Sequence, residues 1–282
     1  MAVTFVAAST LGAVAVNPPT VNLTLPALEV NDIIIIMQVS NNIVLPSSEH
    51  NTPAGYTEVG TKTTTDSGTA ADDRRSAMYW KRATAADSGA TVTCSRAGTS
   101  TLLFCAIALV FRGAAKSGDP FDATGIGING TVAADNDIDF NAWDATATDL
   151  HVVYFGWHAD DGTAGANFTN DGTTFTIRND QETSVGADAT ALTWSADRNG
   201  NNLPAVAAAI GGTAGSSIGY VFGLLPGGGG TASDDVLVRF GSLDATTGSG
   251  LVTTSFAATG GAAAVVGGMM MFHYVDVVQG AV

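Results

Sequence analysis

Several stretches of this 282-residue sequence have residue types and spacings that could do chemistry. Gly215-Ser-Ser217-Ile-Gly219 has the G-x-S-x-G spacing of a serine nucleophile, and Asp234, Asp235 or Asp244 followed by His273 reproduces the chain order of a hydrolase triad. That chemistry needs the serine on a sharp turn from a strand into a helix. Here Ala-Ile-Gly-Gly-Thr-Ala precedes and the strand-like Tyr220-Val-Phe follows, so no catalytic residue is assigned. Gly125-Ile-Gly127-Ile-Asn-Gly130 has the spacing of a dinucleotide fingerprint, but a strand-like, acid-rich segment follows where a helix should receive the pyrophosphate. It reads as a glycine-rich turn, and no cofactor is expected.

Asp135-Asn-Asp137-Ile-Asp139 places carboxylates at alternate positions, as an oxygen cage for calcium often does. An EF-hand loop would carry Gly and Glu where Phe140 and Thr146 stand, so Asp135, Asp137 and Asp139 are metal candidates only in another geometry, with Asp160, Asp161, Asn170 and Asp171 as further donors. His50, His151 and His158 lack zinc spacing and read as ordinary surface or sheet residues. Tyr79-Trp80-Lys81-Arg82, with Arg74 and Arg75 upstream, is the one basic-aromatic concentration. On a strand, alternation sends Trp80 to one face and Tyr79 and Lys81 to the other, which predicts a buried Trp80 beneath a basic outer edge. Cys94 and Cys105 lie almost symmetrically about 97–100, as across a hairpin, and are read as reduced core residues, with a cross-strand disulfide as the alternative.

The elements that must position these residues are strands. Segments 32–41, 77–81, 90–95 and 150–158 are short, rich in Ile, Val, Thr and aromatics, and bounded by Gly, Asn, Asp or Pro. Residues 69–87 could also be read as a helix, with Ala77, Trp80 and Thr84 on one face, but the flanking turns favour a strand. The sequence also echoes itself: 31–36, 56–64 and 77–83 are matched by 148–153, 173–180 and 192–198, at an offset of 117 between Asp32 and Asp149 and 114 between Trp80 and Trp194. These observations predict an all-β protein, an antiparallel β-sandwich of jelly-roll type with an internal pseudo-repeat. One domain is expected over 1–202, with echoing halves at about 25–115 and 148–198. A Gly- and Ala-rich segment, 203–282, should add strands and loops to it.

Composition narrows function. Charged residues are only 13% of the chain and the net charge is −15, which repels nucleic acid and anionic membranes. The excess is lopsided: residues 1–116 hold eight basic and eight acidic residues, whereas 117–282 hold three and eighteen. The acidic part reads as a solvated face or, alternatively, as a contact surface for the near-neutral part of a neighbouring copy, which carries clustered arginines. The longest apolar run, 102–111, is far short of the roughly 18 residues that span a bilayer. The first residues alternate as a strand does and are read as mature sequence.

The succession Asn31-Asp32 with its aliphatic strand, Pro53-Ala-Gly55-Tyr56-Thr57, Tyr79-Trp80-Lys81-Arg82-Ala83-Thr84, Asp87-Ser-Gly89, Thr91-Val-Thr93 and Val110-Phe-Arg112-Gly113 resembles β-sandwich proteins of tailed-bacteriophage particles. The likeness covers about 25–115, with a fainter echo over 148–198. It implies a non-enzymatic virion protein of head-decoration, tail or tail-fibre type, made in the host bacterial cytoplasm and forming homo-oligomers that contact major capsid or tail proteins. A subunit interface would then draw on Arg74, Arg75, Tyr79, Lys81 and Arg82. The alternative is an adhesin that binds host surface glycan through exposed aromatics at Tyr56, Trp143 or Trp157.

Overall fold

The structure is a computed structural model, and it describes residues 2–41, 50–65, 74–98, 103–122, 127–135, 137–159, 165–183, 189–200, 202–210 and 215–227. These lie in one compact body, Met1–Gly230. Its first half carries β1 (Thr4–Ala8), β2 (Gly12–Val14), β3 (Thr20–Thr24), β4 (Ile33–Asn41), β5 (His50–Asn51), β6 (Thr57–Thr65), β7 (Arg74–Arg82), β8 (Thr91–Arg96) and β9 (Phe104–Arg112). The second half carries β10 (Gly127–Asp135), β11 (Asp137–Phe140), β12 (Trp143–Asp144), β13 (Asp149–Ala159), β14 (Asn167–Asn170), β15 (Thr173–Thr183), β16 (Ala189–Asn199), β17 (Asn202–Leu203), β18 (Val206–Ala209) and β19 (Gly215–Leu224). Residues 74–82 are therefore strand, and no helix occurs among the described residues.

Strand order makes the repeat plain. The first large sheet runs β1-β9-β4-β7-β6, with β2 extending the β9 edge, and the second runs β10-β19-β13-β16-β15-β14. Taken from β1 and from β10, the central order is the same in both. A small sheet lies on the outer face of each: β3-β8-β5 on the first, and the pairs β11-β18 and β12-β17 on the second. Both halves are antiparallel sandwiches, and their large sheets pack back to back.

Three apolar layers result. The middle one joins the halves, with Ile33, Ile35, Met37, Val39, Leu109 and Phe111 meeting Val153, Phe155, Trp157, Ile218, Phe222 and Leu224. Across it the Ser76 and Tyr220 hydroxyls hydrogen-bond, and the Gln181 amide donates to Ser9 O at 2.9 Å while its Oε1 accepts from Leu11 N at 2.8 Å. One outer layer holds Ile34, Ile36, Tyr79 and Phe104 against Val21, Leu23 and Cys94. The other holds Val152, Tyr154 and Trp194 against Ile138, Phe140 and Trp143. Burial on both faces explains why β4 opens on four successive isoleucines instead of alternating apolar with polar residues.

Several expectations change against this frame. β8 and β9 belong to different sheets, so Cys94 and Cys105 are not hairpin partners: Cys94 faces the outer layer and Cys105 the middle one. Both are free and buried, and burial pushes each thiol up to about 12, which keeps it protonated. The segment after 202 contributes β18 and β19, and β19 lies between β10 and β13 in the second large sheet. Residues 113–122, which join the halves, run beside the end of β19, with Ala115 N donating to Leu225 O at 2.9 Å and Asp122 N to Gly223 O at 3.0 Å. The Asp122 carboxylate accepts from Thr146 N and Ala147 N at 2.9 and 2.7 Å. Gly127–Gly130 are strand residues of β10, not a turn, and Gly125 lies outside the described residues. Among the described residues there is no helix long and apolar enough to cross a membrane.

Candidate functional site

One polar constellation sits on the outer side of the first sandwich. β7 alternates as a strand must: Met78 and Trp80 face the middle layer, Tyr79 and Lys81 the outer side. The burial is the reverse of the sequence expectation, because both faces are covered. Tyr79 is fully buried, its hydroxyl donating to His50 O at 3.2 Å, whereas Trp80 is half-buried with its ring edge-on to Phe121. The Arg82 guanidinium lies 5.9 Å from the Trp80 ring and donates to Gly118 O at 3.2 Å.

Lys81 emerges beyond the rim of the small sheet. Its ammonium lies 2.5 Å from Asp87 Oδ1 and 5.9 Å from the centre of the Tyr56 ring. The other Asp87 oxygen accepts from the backbone N–H and the hydroxyl of Thr84, at 2.8 and 2.7 Å. Burial alone would raise the Asp87 pKa, but Lys81 and the two Thr84 donors outweigh it and hold the carboxyl below its usual range. Tyr56 follows a turn closed by its N–H to Pro53 O at 3.1 Å, and Gly55 (φ 80°) supplies the left-handed residue that turn needs. With Ala90–Thr93 these groups line a shallow cleft of about 290 Å³. Its Thr91 and Thr93 are exposed, and its ion pair is internally neutral. Burial pushes the Tyr56 hydroxyl above its usual range, so the phenol stays neutral. Such a surface can hydrogen-bond an uncharged polar ligand.

The remaining candidates divide. Lys81 and Tyr56 are neighbours, which their spacing did not reveal. Arg75 is buried on β7 opposite Ser40, and the side chain of Arg74 lies outside the described residues. Tyr56, Trp143 and Trp157 are not exposed aromatics: they retain 8%, 5% and 1% of their accessible surface. Trp157 fills the middle layer and Trp143 the second outer layer, so neither offers a ring face to a sugar. Asp137 and Asp139 alternate because β11 is a strand whose Ile138 and Phe140 enter the core. Their carboxylates are the outward half of that period, and the side chain of Asp135 lies outside the described residues. Among the described residues no group of three or more His, Cys, Asp or Glu is placed to hold a metal ion.

Ser217 is a mid-strand residue of β19, opposite His158 of β13, and both are buried. The glycine that completes its motif has a packing reason: a Cβ on Gly219 would come within 2.8 Å of the Phe140 ring. The acidic residues and histidine that would complete a triad, Asp234, Asp235, Asp244 and His273, lie outside the described residues. A serine–histidine pair that sequence reasoning missed does form, with Ser40 Oγ 2.7 Å from His50 Nε2. It is fully enclosed between sheets beside Arg75 and Arg96, so it satisfies buried polar atoms without reaching a substrate. All three histidines of the body are buried in strands and none lies at the surface. Compared with protein-family models, curated proteins and solved structures, the chain matches none.

Proposed function

We propose that this chain is a non-enzymatic structural protein of a tailed-bacteriophage virion, a head-decoration or tail-associated surface subunit. It acts through symmetric contacts with its own copies and with major capsid or tail proteins. One observation carries the reading: the central strands of both large sheets, β4, β9, β13 and β16, are covered on both faces, so their apolar surface is satisfied internally and the outward polar rows, edges and loops are left for contact. Charge adds to it. Residues 1–116 balance, whereas 117–227 hold two basic residues against fourteen acidic ones. A neutral flank meeting the acidic flank of the next copy is a heterologous contact of the kind that closes rings. Purified protein is expected to sediment as a symmetric oligomer and to co-sediment with phage heads or tails. A monomer that leaves both untouched overturns the reading.

The alternative, a module that recognises host surface glycan, is favoured by the cleft beside Tyr56. Binding of bacterial surface polysaccharide that is lost in Tyr56→Ala, with the fold retained, would move the function there.

A further inference from the structure

One residue of the middle layer is unlike its neighbours. His151 of β13 is 3% exposed, and its ring packs edge-on against Phe111 of β9, from the other sandwich, at 5.9 Å. Its strand neighbours are Asp197 on β16 and Leu224 on β19. Nδ1 lies 2.8 Å from Asp197 Oδ1, on a carboxylate that is 61% exposed. An ionised carboxylate only accepts hydrogen bonds, so Nδ1 carries the proton and Nε2 keeps a bare lone pair. That Nε2 is buried and meets no hydrogen-bond partner among the described residues. At the matching place in the first large sheet, flanked by Arg82 and Phe111, stands Ile33, which cannot titrate.

We propose that His151 is an acid-sensitive latch on the layer that holds the two sandwiches together. Its neutral ring suits the layer. A second proton would sit on Nε2, where the cation and its new N–H find apolar packing instead of an acceptor, and it is accommodated only when that end of the layer opens to water. The charged groups facing it are Asp197 from β16, which attracts the cation, and Arg178 from β15, which repels it; β19 and β9 present Leu224 and Phe111. Burial lowers the imidazole pKa, Asp197 raises it, and the net direction is down. A folded pKa below the unfolded one means that the unfolded chain takes up the proton first. The stabilisation is therefore full above the ordinary imidazole value of about 6.5 and is lost as pH falls through the lower folded value. This inference is independent of the virion reading.

Hydrogen exchange of the intact protein, corrected for intrinsic rates, tests it together with NMR titration of the His151 ring. Amides of β9 and β13 near this end are expected to lose protection between about pH 7.5 and 5, roughly tenfold for each unit by which the pKa is depressed. His151→Phe, which keeps a ring against Phe111, should abolish that loss, and the wild-type ring should titrate below the free imidazole. Equal loss in the wild type and the variant overturns the proposal. So does titration of His151 at or above the ordinary value, which decides the matter if the variant fails to fold.

Discussion

The two sandwiches share a strand order but not a chemistry. In the first, Asp32 enters the fold just before β4, is 2% exposed, and takes a two-pronged hydrogen bond from Arg112, with both contacts at 2.9 Å. Glu29 adds a third contact to Arg112 at 2.8 Å. In the second, Asp149 opens the corresponding strand and is exposed. Asp32 and Asp87 of the first half are paired within the fold, as Arg198 is with Asp171 in the second, but most of the described acidic residues of the second half face water. The comparison teaches that one backbone plan tolerates different charge at corresponding places, provided the layer between the halves stays mainly apolar.

Emptying that layer is the strongest way to break the comparison. Trp157→Ala is expected to cost about 3–5 kcal/mol in urea unfolding and to split the transition, since the lost packing is what couples the halves. Trp194→Ala, inside the second sandwich alone, should cost a similar amount without splitting it. Next in size is the aspartate contrast. Asp32→Ala leaves Arg112 without its paired acceptor and should cost about 2 kcal/mol, whereas Asp149→Ala should stay within about 0.5 kcal/mol. Equal losses would show that the two positions are equivalent after all.

A smaller effect separates the cleft from the core. Lys81→Met should cost less than ~1 kcal/mol, because Lys81 is partly solvated. It should also shift acid unfolding. The lowered Asp87 pKa contributes stability that is full above the ordinary carboxylate range and disappears as pH falls through the folded value, so the variant should lose less on acidification than the wild type. Smallest of all, Asp137→Asn with Asp139→Asn should leave the unfolding midpoint unchanged, and added calcium should not raise it; a rise in the wild type alone would restore the metal site.

Strand content and the repeat were legible because β-branched runs, turn residues and self-similarity are local signals. Register was not. In the middle layer β4 contributes Ile33, Ile35, Met37 and Val39 and β13 contributes Val153, Phe155 and Trp157, so equivalent positions must differ by an even number; the 117 offset read from the aspartates is odd. For β7 and β16 the layer takes Met78 and Trp80 against Ala189 and Ala191, which requires an odd offset, and the 114 read from the tryptophans is even. Trp80 accordingly faces the shared layer and Trp194 the outer one. With a side-chain period of two, a slip of one residue reverses the face. The burial of Tyr79 and Trp157 escaped prediction because alternation reports one-sided sheets, and the isoleucine run of β4 was the sign of covering on both sides. Tyr56 and Lys81 meet only through the third dimension, since β6 and β7 pair while the turn before β6 folds back under β8.

The account rests on the two sandwiches behaving as one unit through their common layer. Native-state hydrogen exchange near neutral pH tests this directly. The slowest amides of β4 and β9 and those of β13 and β19 should share a single opening free energy and fall together in Trp157→Ala. Two distinct opening energies in the wild type, with β4 and β9 indifferent to that substitution, would contradict it.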